Sequence, residues 1–172
     1  RTAEPSQILP EAKSIIVGVN NYFARAFPSS MVGKIGRCYQ AGIFCHEKSD
    51  YQERSKAFRA FLENNGFEVK FAQAPARLSG ARAGVASYGN NCFAYANRSV
   101  AKSSWITMDT YIVDKELDYD KPTLEVKCPK DCRRCLDACP TGALYAPLQM
   151  DPRKCVAYQS YFTVEAIPLE VR

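Results

Sequence analysis

Four cysteines fall within twelve positions, in Cys128-Pro129-Lys130-Asp131-Cys132-Arg133-Arg134-Cys135-Leu136-Asp137-Ala138-Cys139-Pro140. Cys132, Cys135, Cys139 and Pro140 keep the C-x2-C-x3-C-P spacing of an iron–sulfur ligand run, while the first step, from Cys128, is one residue longer than the usual C-x2-C. Thiolates two or three residues apart on a tight turn converge on one cuboidal cluster, and the proline stops the chain from running on past its last ligand. The chemistry this offers is electron transfer. A structural zinc module needs only four thiolates and stays open on the same residues. Eight cysteines in all would also serve a disulfide framework, but their crowding favours a metal site in a reducing cytoplasm.

Other reactive residues are less telling. Asp151-Pro152 predicts an N-cap followed by proline at the first helical position, which would place Cys155 on the first turn of a helix. Cys38, Cys45 and the single histidine, His46, invite a nucleophile reading, yet the seven-residue step between the cysteines matches no metal spacing and no base accompanies them. A loop over a pocket is the better expectation there. Gly84, Tyr88, Gly89, Asn90 and Asn91 form a glycine- and asparagine-rich stretch whose backbone N–H groups can meet a ligand. Asn20 and Asn21 are candidates for a ligand crevice at a strand end, or simply a turn. Lys127, Lys130, Arg133, Arg134, Arg153 and Lys154 lie near the cysteine run, where cations lower the cost of an anionic cluster; singly, each reads as a solvated surface charge. No nucleic-acid recognition motif accompanies the net charge of +5.

These residues need a scaffold, and 172 residues with 47% hydrophobic content can bury a core. No apolar run is long enough to span a bilayer, and the chain opens on Arg1 with no signal-peptide pattern, which suggests an internal piece of a longer cytoplasmic protein. The run Ile15-Ile16-Val17-Gly18-Val19 predicts a strand covered on both faces. Ser49 with Gln52 predicts a capped helix whose Tyr51, Phe58, Phe61 and Leu62 share one face, closed by Gly66 and packed on a sheet. Phe67, Val69 and Phe71 alternate as in a half-buried strand. Residues 76 to 84 predict a short helix of small residues open to close approach. Residues 85 to 91 predict a flexible turn, followed by strand-like runs from Phe93 to Ala96 and from Trp105 to Val113. Asp118 to Thr123 is a charged connector, so a boundary is expected near Lys121.

Three stretches give the chain a family resemblance: residues 9–17, residues 83–91, and Cys128 to Leu144 with Asp151-Pro152-Arg153-Lys154-Cys155. The chain resembles the epoxyqueuosine reductases and their relatives among the corrinoid-dependent iron–sulfur reductases, which include reductive dehalogenases. The resemblance implies an α/β (mixed α+β) catalytic-type domain over residues 1–121 that holds cobalamin, contacted by Gly84, Tyr88, Gly89, Asn90 and Asn91. It implies a small ferredoxin-like iron–sulfur subdomain over residues 122–172 that carries two 4Fe-4S clusters in the full-length protein. Carried over, Cys128, Cys132 and Cys135 would ligate the first cluster, and Cys139 and Cys155 the second. The remaining ligands would come from a further cysteine run beyond Arg172, so residues 1–172 alone are expected to hold at most one labile cluster and to be inactive.

Two departures bear on the substrate. The family's acidic proton donor, shortly before the proline of residues 72–75, is replaced here by Ala72, Gln73 and Ala74, and the usual lysine of its glycine-lysine-asparagine turn is Asn90. Both weaken the implication of epoxyqueuosine as substrate and leave the redox scaffold in place. The expectation is an oxidoreductase that passes electrons from a ferredoxin- or flavodoxin-type donor through its clusters to a corrinoid, acting on a small molecule or a tRNA, with no membrane partner. The alternative is a ferredoxin-like electron carrier or corrinoid-activating protein without a substrate of its own.

Overall fold

The computed structural model describes residues 4–23, 28–40, 47–72, 75–97, 103–162 and 166–169. In chain order its elements are β1 (Ser14–Asn21), α1 (Arg37–Gln40), α2 (Asp50–Asn64), β2 (Val69–Phe71), α3 (Ala76–Arg82), β3 (Ala86–Tyr88), β4 (Ala94–Ala96), β5 (Ile106–Val113), α4 (Arg134–Asp137), β6 (Leu144–Ala146), β7 (Gln149–Met150) and α5 (Val156–Phe162). Mixed α and β structure of this kind is what the sequence predicts. Cys45, His46, Gln73 and Ala74 lie outside the described residues.

The central strand is β5, rich in the β-branched residues that suit a pleated, buried surface. It pairs antiparallel with β1 from Ser14↔Val113 to Asn21↔Ile106, and with β2 from Val69↔Val113 to Phe71↔Tyr111. The order is therefore β1-β5-β2. Asp109 to Val113 are all buried, so the strand covered on both faces is β5 and not the Ile15–Val19 run. That run sits in an edge strand, where Ile15 is 40% exposed while Ile16 packs on the core. An antiparallel edge strand needs only one apolar face, and the unbroken apolar run concealed this.

Helix α2 begins as predicted, with the Ser49 hydroxyl accepting from the Gln52 N–H at 3.3 Å, and Gly66 follows its end at φ +77. Leu62 joins Val69, Tyr111 and Val113 in one core cluster, and the Phe58 ring meets Tyr111 edge-on at 5.3 Å. Phe61 stacks on Phe58 at the rim and stays 59% exposed, so the predicted helical face buries less than its composition promised.

Helix α3 packs on the sheet and on the hairpin β3–β4 through small residues. A Cβ at Gly80 would meet the Met108 sulfur at 2.6 Å, which is the close approach expected of residues 76–84. The stretch expected as a flexible turn is partly strand: Ala86 to Tyr88 pair with Ala94 to Ala96, and the reversal is confined to residues 89–93. The C-terminal region also departs from expectation. The Asp151 carboxylate accepts from the Arg153 N–H and caps a single 3-10 turn over Pro152–Lys154. Cys155 follows it in extended conformation (φ −87, ψ 116), ahead of α5 rather than on a first helical turn.

Candidate metal centre

The cysteine run is tied to the α/β layer from its first residues. Thr123 N–H donates to the Ala81 carbonyl at 2.8 Å and Lys127 N–H to the Tyr88 carbonyl at 2.8 Å, drawing the connector along α3 and β3. At Cys128 the turn after β3 takes over: the Asn90 N–H points to Cys128 Sγ at 3.2 Å, and Asn90 Nδ2 donates to the Cys132 carbonyl at 2.8 Å. Asp131 lies in the left-handed region at φ 61. An aspartate tolerates that conformation, and it absorbs the extra residue of the Cys128–Cys132 step. Helix α4 then carries Cys135 and anchors the loop through Leu136, which is buried.

Past Pro140 the chain turns back through Gly142 (φ +62) into β6. The backbone N–H of Leu144, joined by the hydroxyl and N–H of Thr141 and the N–H of Ala143, holds the Cys139 thiol below its ordinary pKa. Backbone donors converging on sulfur stabilise a thiolate, the form that binds metal. All described cysteines are free thiols, half-buried rather than sealed. Among the described residues no three His, Cys, Asp or Glu side chains stand close enough to hold a single metal ion. The donor set suits a cluster: soft sulfur ligands, presented on a loop and hydrogen-bonded by backbone amides.

Several nearby cations are already engaged. Lys127 Nζ donates to the Ala96 carbonyl at 3.0 Å, Arg133 pairs with Asp137 at 3.5 Å, and Arg153 grips both oxygens of Asp151 at 2.9 Å. That grip holds the Asp151 carboxyl below its ordinary value, though so exposed a pair adds little stability.

The five residues put forward for corrinoid contact also make contacts within the chain. A Cβ at Gly84, which has φ +70, would meet the Lys121 carbonyl oxygen at 2.4 Å; one at Gly89 would meet the Tyr95 ring at 2.4 Å. The Tyr88 carbonyl accepts from Lys127, Asn90 holds the cysteine run, and the Asn91 side chain donates to the Tyr95 hydroxyl and accepts from the Phe93 N–H, both at 3.1 Å. This turn thus also seats the metal loop. Cys92, at φ 63, lies near Cys135; burial, then Cys135, push its thiol up against the opposing pull of Arg77. Of the two strand-end amides, Asn21 makes a local turn by accepting from the Phe23 N–H at 2.8 Å, and Asn20 donates to Asp109 at 3.5 Å.

Two features escape the sequence patterns. Asp109, only 2% exposed, sits between β5 and α2 with Tyr51, Tyr111 and Asn20 as hydrogen-bond partners. A single aspartate inside the β-branched run from Ile106 to Val113 was the available signal. On the other side of the sheet lies a cavity of about 740 Å³, lined by Ile8, Lys13, Ile15, Ser79, Arg82 and Thr110 among others. The Thr110 hydroxyl is buried there without a hydrogen-bond partner.

A mixed α/β layer that seats a cysteine loop among backbone donors defines an iron–sulfur protein. Residues 127–172 match the 4Fe-4S double cluster binding domain. The epoxyqueuosine reductase of Bacillus cereus is 32% identical over 174 residues, which cover 92% of this chain and 43% of that protein. A crystal structure of selenomethionine-labelled epoxyqueuosine reductase superposes with a TM-score of 0.74 at 25% identity, over 95% of this chain and 44% of that one. The same TM-score, at 24% identity over 96% and 45% of the two chains, relates it in fold to an epoxyqueuosine reductase with an epoxyqueuosine-modified tRNA-Tyr stem loop. The chain belongs to the epoxyqueuosine reductase-like family. It spans less than half the length of each of these relatives.

Proposed function

We propose that the protein containing this chain is a cytoplasmic iron–sulfur reductase. A ferredoxin- or flavodoxin-type donor supplies electrons to 4Fe-4S clusters held within residues 127–172. Cys128, Cys132 and Cys135 serve the first cluster, and Cys139 and Cys155 the second. The observation that carries this reading is the double cluster match over residues among which the Cys128 and Cys139 sulfurs meet backbone N–H donors.

The finer reading adds a corrinoid as the acceptor of those electrons; when bound, it supplies low-valent cobalt as the reducing centre. Its support is family likeness. The tRNA stem loop bound by a structural relative makes a tRNA or a small modified base the substrate class to test first. Epoxyqueuosine itself fits poorly. Ala72 places a methyl group buried in the core cluster with Leu9 and Ile112 at the first of the positions expected to hold the acid. A missing general acid costs about 10²- to 10⁴-fold.

The test is an anaerobic titration of the iron-loaded, full-length protein with cobalamin, followed by reduction with flavodoxin. A protein-dependent shift of the cobalamin spectrum, with reduction that requires the clusters, is expected. Reducible clusters that leave cobalamin untouched would sink the corrinoid reading and leave an electron carrier.

A further inference from the structure

We infer that Asn90 is a positioning residue for the metal loop: it clamps the cysteine run to the α/β layer and sets the environment of Cys128 as a ligand. The inference rests on the iron–sulfur reading and adds to it a residue outside the cysteine pattern.

Three groups of this one buried residue bind two segments at three points. Its N–H points to Cys128 Sγ at 3.2 Å, its side-chain amide donates to the Cys132 carbonyl at 2.8 Å, and its own carbonyl accepts from the Leu148 N–H at 3.0 Å, in the link between β6 and β7. Asn90 is 8% exposed, so its own donors are largely shielded from water, where losing a partner is costly. The turn that carries it is itself fixed. Gly89 N–H donates to the Phe93 carbonyl at 2.9 Å and Cys92 N–H to the Gly89 carbonyl at 3.0 Å. The Tyr95 ring packs where a side chain at Gly89 would stand. A rigid turn therefore delivers one backbone donor to one thiolate.

An N–H aimed at a ligand sulfur withdraws electron density from it and favours the more negative, reduced state of the cluster. The amide on Cys132 holds the second ligand of the same group in register. A lysine at this position would carry a charge but could not reproduce a planar amide bonded to a carbonyl this close to its own backbone. A carboxylate in its place would lose the donor and bring a negative charge to the loop.

The experiment uses the full-length protein, loaded anaerobically with iron and sulfide, with two readouts: iron release to a chelator and a spectroelectrochemical titration. Asn90→Ala and Asn90→Asp should release iron from one cluster about 3- to 10-fold faster, the range of one lost hydrogen bond. Asn90→Asp should also shift the potential of that cluster below the value in Asn90→Ala. Asn65→Ala, whose amide serves the Phe61 carbonyl at the end of α2, should leave both readouts at wild-type values. Should Asn90→Ala fail to fold, the nearly isosteric Asn90→Asp carries the test. Wild-type release and potential in folded Asn90 variants would overturn the clamp. Failure of the wild type to take up iron and sulfide would instead overturn the iron–sulfur reading beneath it.

Discussion

Tyr51 on α2 donates its phenol hydrogen to the carboxylate of Asp109 on β5, joining helix and sheet through a buried acid. The second oxygen of Asp109 accepts from the Tyr111 hydroxyl at 3.3 Å, and Tyr111 in turn meets Ser55 at 2.7 Å. A polar chain thus runs beneath α2, beside the apolar cluster of Leu62, Val69, Tyr111 and Val113.

Removing the acid strands its donors. Asp109→Leu should destabilise the fold by roughly 1–3 kcal/mol, since Tyr51 loses its carboxylate acceptor while Tyr111 keeps Ser55, whereas Asp109→Asn, which still accepts, should cost less. Urea unfolding midpoints of the two variants decide this. Equal stability of wild type and Asp109→Leu would show that the chain of hydroxyls contributes nothing.

The same contact gives a pH dependence. Burial, and then the hydrogen bond to Asp109, raise the Tyr51 pKa above the ordinary phenol value of 10.0. The folded protein therefore keeps this proton to higher pH than the unfolded chain does. The stability it contributes is full below about pH 10 and is lost as pH rises further, because the folded state then binds more protons than the unfolded one. Tyr51→Phe should flatten the alkaline limb of a stability profile above about pH 10. An unchanged limb would place the effect elsewhere, with Tyr111, also raised chiefly by burial, as the next residue to replace.

Thr110 presents the opposite case, a buried hydroxyl with nothing bound to it. Thr110→Val keeps the shape and removes the unsatisfied group, so it should be neutral or stabilise by about 1 kcal/mol. Thermal melting checks the sign. A clear loss of stability would mean that the hydroxyl is used.

How much of this was legible in the sequence depends on whether the signal was local. The Ser49 cap, the Gly66 stop, the small-residue face at Gly80 and the cysteine spacing are short-range patterns, and all of them appear in the fold. Strand order is not local. The Ile15–Val19 run is as apolar as a central strand, yet only its pairing with β5 reveals that it lies at an edge. The likeness of residues 83–91 to a family segment pointed to a cofactor, but no local pattern signalled that Asn90 also holds the cysteine loop, 38 residues away in sequence. Cys155 was misplaced because Asp-Pro starts a 3-10 turn as readily as an α-helix.

The central claim is that the cysteine run holds iron and sulfide, and metal analysis of the anaerobically purified, full-length protein tests it most directly. Wild type and Cys38→Ser should contain iron and acid-labile sulfide in equal amounts, and Cys132→Ser should lose most of both, since only Cys132 stands in the ligand spacing. Zinc without sulfide in the wild type, or equal iron loss from Cys38→Ser and Cys132→Ser, would contradict it.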